Sequence, residues 1–149
     1  MHRPTEIESQ LEHMPLFRGL GHRQLAQVGS SVTRLRIPAG RALTRQGAIG
    51  HDVVVVVDGE VEVTRDGQTI AVLGPGAHVG EVAIVENRPR NATVIARTPL
   101  VVDVIGEREF RALLATCPEV SERIAESVAR RRAPELLASE PLVPEPVAG

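Results

Sequence analysis

Arg90 and Glu81 are the two residues of this sequence best placed to act together on a ligand. Glu81 follows Gly80 and opens the stretch Glu81-Val82-Ala83-Ile84-Val85, which lacks the alternation of the apolar runs around it and is closed by Asn87-Arg88-Pro89. Such a stretch between turn signals predicts a single helical turn. The first turn of a helix leaves backbone N–H groups without intrahelical partners, so the amides near Gly80, Val82 and Ala83 would attract an anion. Gly80 and Ala83 are small enough to let a ligand approach the backbone. Pro89 fixes the chain just before a predicted strand at 91–96, and Arg90 can therefore turn its guanidinium back toward the helical turn. A planar, permanently charged fork suits the two free oxygens of a cyclic phosphodiester. Glu81 supplies the complement, because a carboxylate accepts a hydrogen bond from a ribose 2′-hydroxyl. Taken as an isolated pair, an Arg and a Glu beside a turn are also explained by a surface ion pair.

The elements that must hold these residues are legible on both sides. Leu11, Met14, Leu16, Phe17 and Leu20, then Leu25 and Val28, fall at helical spacings interrupted by Gly19 and Gly21, which predicts two short N-terminal helices. From Val32 to Ile105 the texture is β-branched runs cut by Pro38-Ala39-Gly40, Gln46-Gly47, Asp58-Gly59, Asp66-Gly67 and Gly74-Pro75-Gly76. Val61 and Val63, then Ile70 and Val72, alternate on either side of Asp66-Gly67, so Glu60 to Leu73 reads as a hairpin. Many short strands within 32–105 predict a mainly β domain, a jelly-roll-like double-stranded β-helix that closes its own edges, with flanking helices. After Gly106, Glu107 to Ala115 and Pro118 to Arg132 read as helices, the second carrying an apolar stripe of Val120, Ile124 and Val128 that suits the roll, a protein partner or a second copy of the chain. Pro134 is expected to end that helix, leaving 133–149 as a proline-rich tail behind a domain of residues 1–132.

Composition narrows the class of function. A chain of 149 residues with 42% hydrophobic content suits one core. Its formal net charge of -2 gives no overall attraction to nucleic acid or to an anionic membrane. All of its basic residues are Arg, so lysine Schiff-base chemistry is excluded. The longest apolar run, Val53 to Val57, is far below the roughly 18 to 20 residues of a membrane-spanning helix, and a single cysteine, Cys117, forms no internal disulfide. With no secretory start behind Met1, a cytoplasmic location is expected.

The whole segment Gly80-Glu81-Val82-Ala83-Ile84-Val85-Glu86-Asn87-Arg88-Pro89-Arg90-Asn91-Ala92-Thr93-Val94 closely resembles the phosphate-binding cassette of cyclic-nucleotide-binding domains, the family of the catabolite activator protein and the protein kinase A regulatory subunits. Arg45-Gln46-Gly47, Asp58-Gly59-Glu60-Val61-Glu62-Val63 and Leu73-Gly74-Pro75-Gly76 fall in family order around it, and the resemblance runs from about Leu16 to Arg132. It implies a β roll binding cAMP, or alternatively cGMP, with Glu81 on the 2′-hydroxyl and Arg90 on the phosphate. Gly80, Val82, Ala83, Asn91 and Ala92 would complete the cassette, the backbone N–H groups of Ala83 and Asn91 assisting, and Val63, Ile70 and Leu73 would face the base. It also implies C-terminal helices that shift on binding. Three departures stand out: Val79 replaces an aromatic or bulky residue, Asn91 replaces a small or hydroxyl residue, and Pro134, Glu135 and Leu136 fall where the catabolite activator's long helix continues, so a different cap over the base is expected.

Competing readings leave the same residues other tasks. A roll that keeps the fold without the ligand would serve as a protein-interaction scaffold. A cupin-like metal enzyme would need convergent ligands, and His51 and His78 do not form a His-x-His pair; both read as surface or turn residues, and no metal is expected. Arg130-Arg131-Arg132 reads as a solvent-facing helix end, Cys117 as a small buried residue, and the residues after Arg132 leave no room for a helix-turn-helix, so neither catalysis nor direct DNA binding is expected.

Overall fold

The structure, a computed structural model, describes residues 3–138. Two N-terminal helices, α1 (Glu6–Leu11) and α2 (His22–Ser31), lead into strands β1 (Val32–Ile37), β2 (Ala42–Thr44), β3 (Asp52–Asp58), β4 (Val61–Arg65), β5 (Gln68–Leu73) and β6 (His78–Val79). The short helix α3 (Glu81–Val85) follows, then β7 (Thr93–Ala96), β8 (Leu100–Gly106), α4 (Glu107–Thr116) and α5 (Pro118–Ala138). The strands make two antiparallel four-stranded sheets, ordered β1-β8-β3-β6 and β2-β7-β4-β5. This is the mainly β roll with flanking helices that the sequence predicts.

The Val53–Val57 run explains how roll and helices share one scaffold. Side chains alternate across a strand, and the middle of β3 is covered on both faces, so each of Val53 to Val56 is apolar for a reason. Val53 and Val55 belong to the core that Phe17, Phe110, Leu113, Val120 and Ile124 build beneath the helices. Val54 and Val56 face the other way, into the core between the sheets with Val61, Val63, Val94 and Val102. A polar side chain at any of Val53 to Val56 would break one core or the other.

The hairpin forms as its turn residues dictate. Asp66 and Gly67 both take positive φ, 53° and 79°, as a two-residue turn between right-twisted strands requires. Pairing of β4 with β5 shifts by one residue between Val63 and Thr64, which leaves Ile70 as the extra residue of a bulge.

Helix α5 departs from expectation in its length. It continues through Pro134 to Ala138 instead of ending at Arg132. Proline's φ is helical, and although its ring removes one N–H donor and crowds the carbonyl four residues back, the good helix formers Glu135, Leu136, Leu137 and Ala138 follow it and the backbone stays helical. The expected tail beyond Ala138 lies outside the described residues. The apolar stripe of Val120, Ile124 and Val128 is buried within the chain, and so is not available to a partner helix or a second copy.

Candidate functional site

The cassette folds around Gly80, whose φ of 101° is left-handed and open only to a residue without a β-carbon. A β-carbon there would also sit 2.6 Å from Arg90 Nη1 and 2.8 Å from the Asp52 carbonyl oxygen. The sharp turn it permits starts α3, and the loop after α3 carries Arg90 back beneath it. Arg90 is 7% exposed. Its Nη1 donates to the carbonyls of Asp52 at 3.0 Å and Gly80 at 3.2 Å, and its Nη2 donates to Asp52 Oδ1 at 2.7 Å. Gly50 packs so close that a β-carbon would lie 1.9 Å from Arg90 Nε. The loop between β2 and β3 straps the arginine's backbone as well: Gly47 N–H donates to Arg90 O and Arg90 N–H to Ala48 O, both at 2.8 Å. The guanidinium is therefore fixed before any ligand arrives.

Glu81 is fully buried, and its carboxylate meets α5. Arg131 Nη1 donates to Oε1 at 2.7 Å and to Oε2 at 2.8 Å. The Ser127 hydroxyl donates to Oε2. His78 Nε2 lies 3.1 Å from Ser127 Oγ and 3.4 Å from Glu81 Oε2. Burial pushes the Glu81 carboxyl up, but the His78 hydrogen bond, the Arg131 charge and the Ser127 hydroxyl outweigh it and hold it at about 2. The site thus presents an ionised carboxylate on the first residue of α3 and a fixed guanidinium against Gly80, which precedes it.

All seven residues expected to grip the ligand, Gly80, Glu81, Val82, Ala83, Arg90, Asn91 and Ala92, line one narrow pocket, together with Val63, Thr44 and Arg131. Of the three expected to face the base, Val63 is on the pocket wall, while Ile70 and Leu73 flank the core between the sheets. His51 is exposed and bonded to Glu107, and Cys117 is buried, as the sequence predicts. His78 is a correction: its side chain is 14% exposed and bonded to Ser127, so it is neither a surface nor a free turn residue. Arg131 is another, because it turns inward onto Glu81 while Arg130 stays exposed. Among the described residues no group of three or more His, Cys, Asp or Glu side chains converges as a metal site would need.

Sequence reasoning missed Asp52, Ser127 and Arg131. Helical phase could have found the last two: Ser127 and Arg131 are one turn apart and continue the face that Ile124 and Val128 bury. Asp52 carries no such signal, since its contact with Arg90 depends on how β3 lies against the cassette.

Comparison with known proteins agrees with this geometry. The sequence profile of the cyclic nucleotide-binding domain matches residues 34–117. A cyclic nucleotide-gated potassium channel of Mesorhizobium japonicum is 33% identical over 119 residues, 80% of this chain and 33% of the channel. A cAMP-dependent protein kinase regulatory subunit of Yarrowia lipolytica is 34% identical over 114 residues, 75% of this chain and 30% of that protein. The solved catabolite activator protein of Thermus thermophilus superposes with a TM-score of 0.73 at 29% identity, covering 84% of this chain and 62% of that one. The chain belongs to the cyclic nucleotide-binding domain family. It spans about a third of the length of the two curated relatives named here. No helix among the described residues is long and apolar enough to cross a membrane.

Proposed function

We infer that this chain is a regulatory module that binds cAMP, and that it is a binding domain without catalytic activity. The observation that carries this reading is the placement of a fixed guanidinium and an ionised, buried carboxylate at the N-terminal end of α3, lining one pocket. Three of the five N–H groups of Arg90 are used within the chain, which leaves Nε and half of Nη2 for phosphate oxygens. Glu81 accepts the ribose 2′-hydroxyl, sharing or exchanging its hydrogen bonds from Ser127 and Arg131. The cAMP-dependent kinase relative supports adenine as the base. Titration calorimetry with cAMP and cGMP tests the reading: micromolar or tighter binding is expected. No heat with either nucleotide would leave the roll as a protein-interaction scaffold.

Ligand sensing follows from which element covers Glu81. Because Ser127 and Arg131 stand on α5, any change in the hydrogen bonds of Glu81 is felt by that helix, and binding energy becomes a population shift between helix positions. Hydrogen exchange of residues 118–140 is expected to change by at least threefold at saturating ligand. Unchanged protection would sink the helix-shift mechanism while leaving the binding site standing.

A further inference from the structure

Helix α5 closes the pocket it stands beside. Among the described residues, Arg131 is the one pocket-lining residue on a flanking helix; the others belong to the roll and the cassette. With Arg131 in place the pocket encloses about 20 Å³, room for one or two water molecules. Pockets that take small organic ligands run to roughly 300 Å³ or more. The same side chain also occupies the group that a ribose would use. Arg131 Nη1 donates to Glu81 Oε1 at 2.7 Å and to Oε2 at 2.8 Å, so it straddles the outer end of the carboxylate. Ser127 donates to Oε2, and His78 Nε2 lies 3.4 Å from that oxygen. A ribose hydroxyl donating to Glu81 therefore competes with Nη1 for its place.

Of the two partners, Arg131 is the one that can leave. Glu81 is fully buried and starts α3 directly after the left-handed turn at Gly80, so its carboxylate is held in place. Val120, Ile124 and Val128 anchor the earlier turns of α5 in the core, whereas Arg131 reaches Glu81 from beyond them through a long side chain. We propose that Arg131 is a tethered competitor of the ribose: it fills the seat on Glu81 and narrows the pocket, and a cyclic nucleotide binds only in molecules where it has let go. The proposal rests on the cyclic-nucleotide reading above and adds how that site is regulated. An internal competitor lowers apparent affinity by the fraction of molecules that are open, so an open fraction of about one in ten weakens binding about tenfold. Whatever draws α5 off the cassette then raises the affinity for nucleotide.

Titration calorimetry with cAMP on the full chain tests the sign of the effect. Arg131→Ala is expected to bind cAMP about tenfold more tightly than wild type. Arg131→Gln keeps a donor to Glu81 without the charge; it is expected to bind about threefold more tightly, and it supplies the test if the alanine variant is too unstable to titrate. A group that latched α5 over a seated nucleotide would give the opposite sign, and a purely structural role would lower the melting temperature without tightening binding. Affinity equal to or weaker than that of wild type, in a variant that circular dichroism shows to be folded, overturns the proposal. No binding by wild type or by either variant would instead overturn the cyclic-nucleotide reading on which the proposal rests.

Discussion

Replacing Arg90 with Ala is expected to weaken cAMP binding about 100-fold or more, on the order of 3 kcal/mol, because it removes a charge-assisted fork that the fold has already oriented. The size of the effect comes from preorganisation. Asp52, Gly80, Gly50 and the Gly47–Ala48 strap fix the guanidinium in the unliganded protein, so little side-chain entropy is lost when phosphate arrives. The fold should survive the substitution, since Asp52 is 42% exposed at its side chain and regains water when its partner is gone. Arg90→Lys separates charge from shape: a lysine keeps the cation but cannot hold two backbone carbonyls and a carboxylate in one plane, so an intermediate affinity is expected. Calorimetry gives the affinities and circular dichroism the melting temperature. A variant that binds cAMP like wild type while melting normally would remove Arg90 from the site.

What the sequence revealed and what it hid follow from how local each interaction is. The cassette was legible because Gly80, Glu81 and Arg90 lie within eleven consecutive residues, and their turn and proline signals fix the path between them. The roll was legible because alternation and turn residues act at short range, as at Asp66-Gly67. The cover over Glu81 was not, because His78, Ser127 and Arg131 meet only when α5 packs across α3, a contact spanning 46 to 50 residues for the two α5 side chains. Counting Arg130-Arg131-Arg132 as a charge block concealed that one member falls on the buried face of the helix. The bulge at Ile70 hid the inward face of β5 in the same way, since one inserted residue sets Ala71 and Leu73, instead of Ile70 and Val72, opposite Val63 and Val61. Pro134 misled for a different reason: the hydrogen bond it removes and the carbonyl it crowds are local costs, and the helix formers after it carry the backbone on.

The Arg131–Glu81 contact predicts the largest stability effect in the molecule. Arg131→Ala leaves a fully buried carboxylate without its counter-charge, and breaking such a pair costs about 3 kcal/mol, roughly 10 °C in melting temperature for a chain of this size. The pH dependence supplies the sign. Glu81 is held at about 2, below its ordinary 4.5, so the stabilisation is fully present above about 4.5 and is lost progressively as pH falls toward 2. Thermal melts of wild type should therefore fall steeply across that window. In Arg131→Ala the carboxyl rises back toward or past its ordinary value, and the gap between variant and wild type should narrow as acid protonates Glu81 in both. Adding Glu81→Gln to Arg131→Ala removes the unpaired charge and should recover about half of the lost stability, Ser127 and His78 remaining to satisfy the amide. A melting temperature for Arg131→Ala within 2 °C of wild type at neutral pH would mean that water, not α5, solvates Glu81, and the route from ligand to helix would have to run elsewhere.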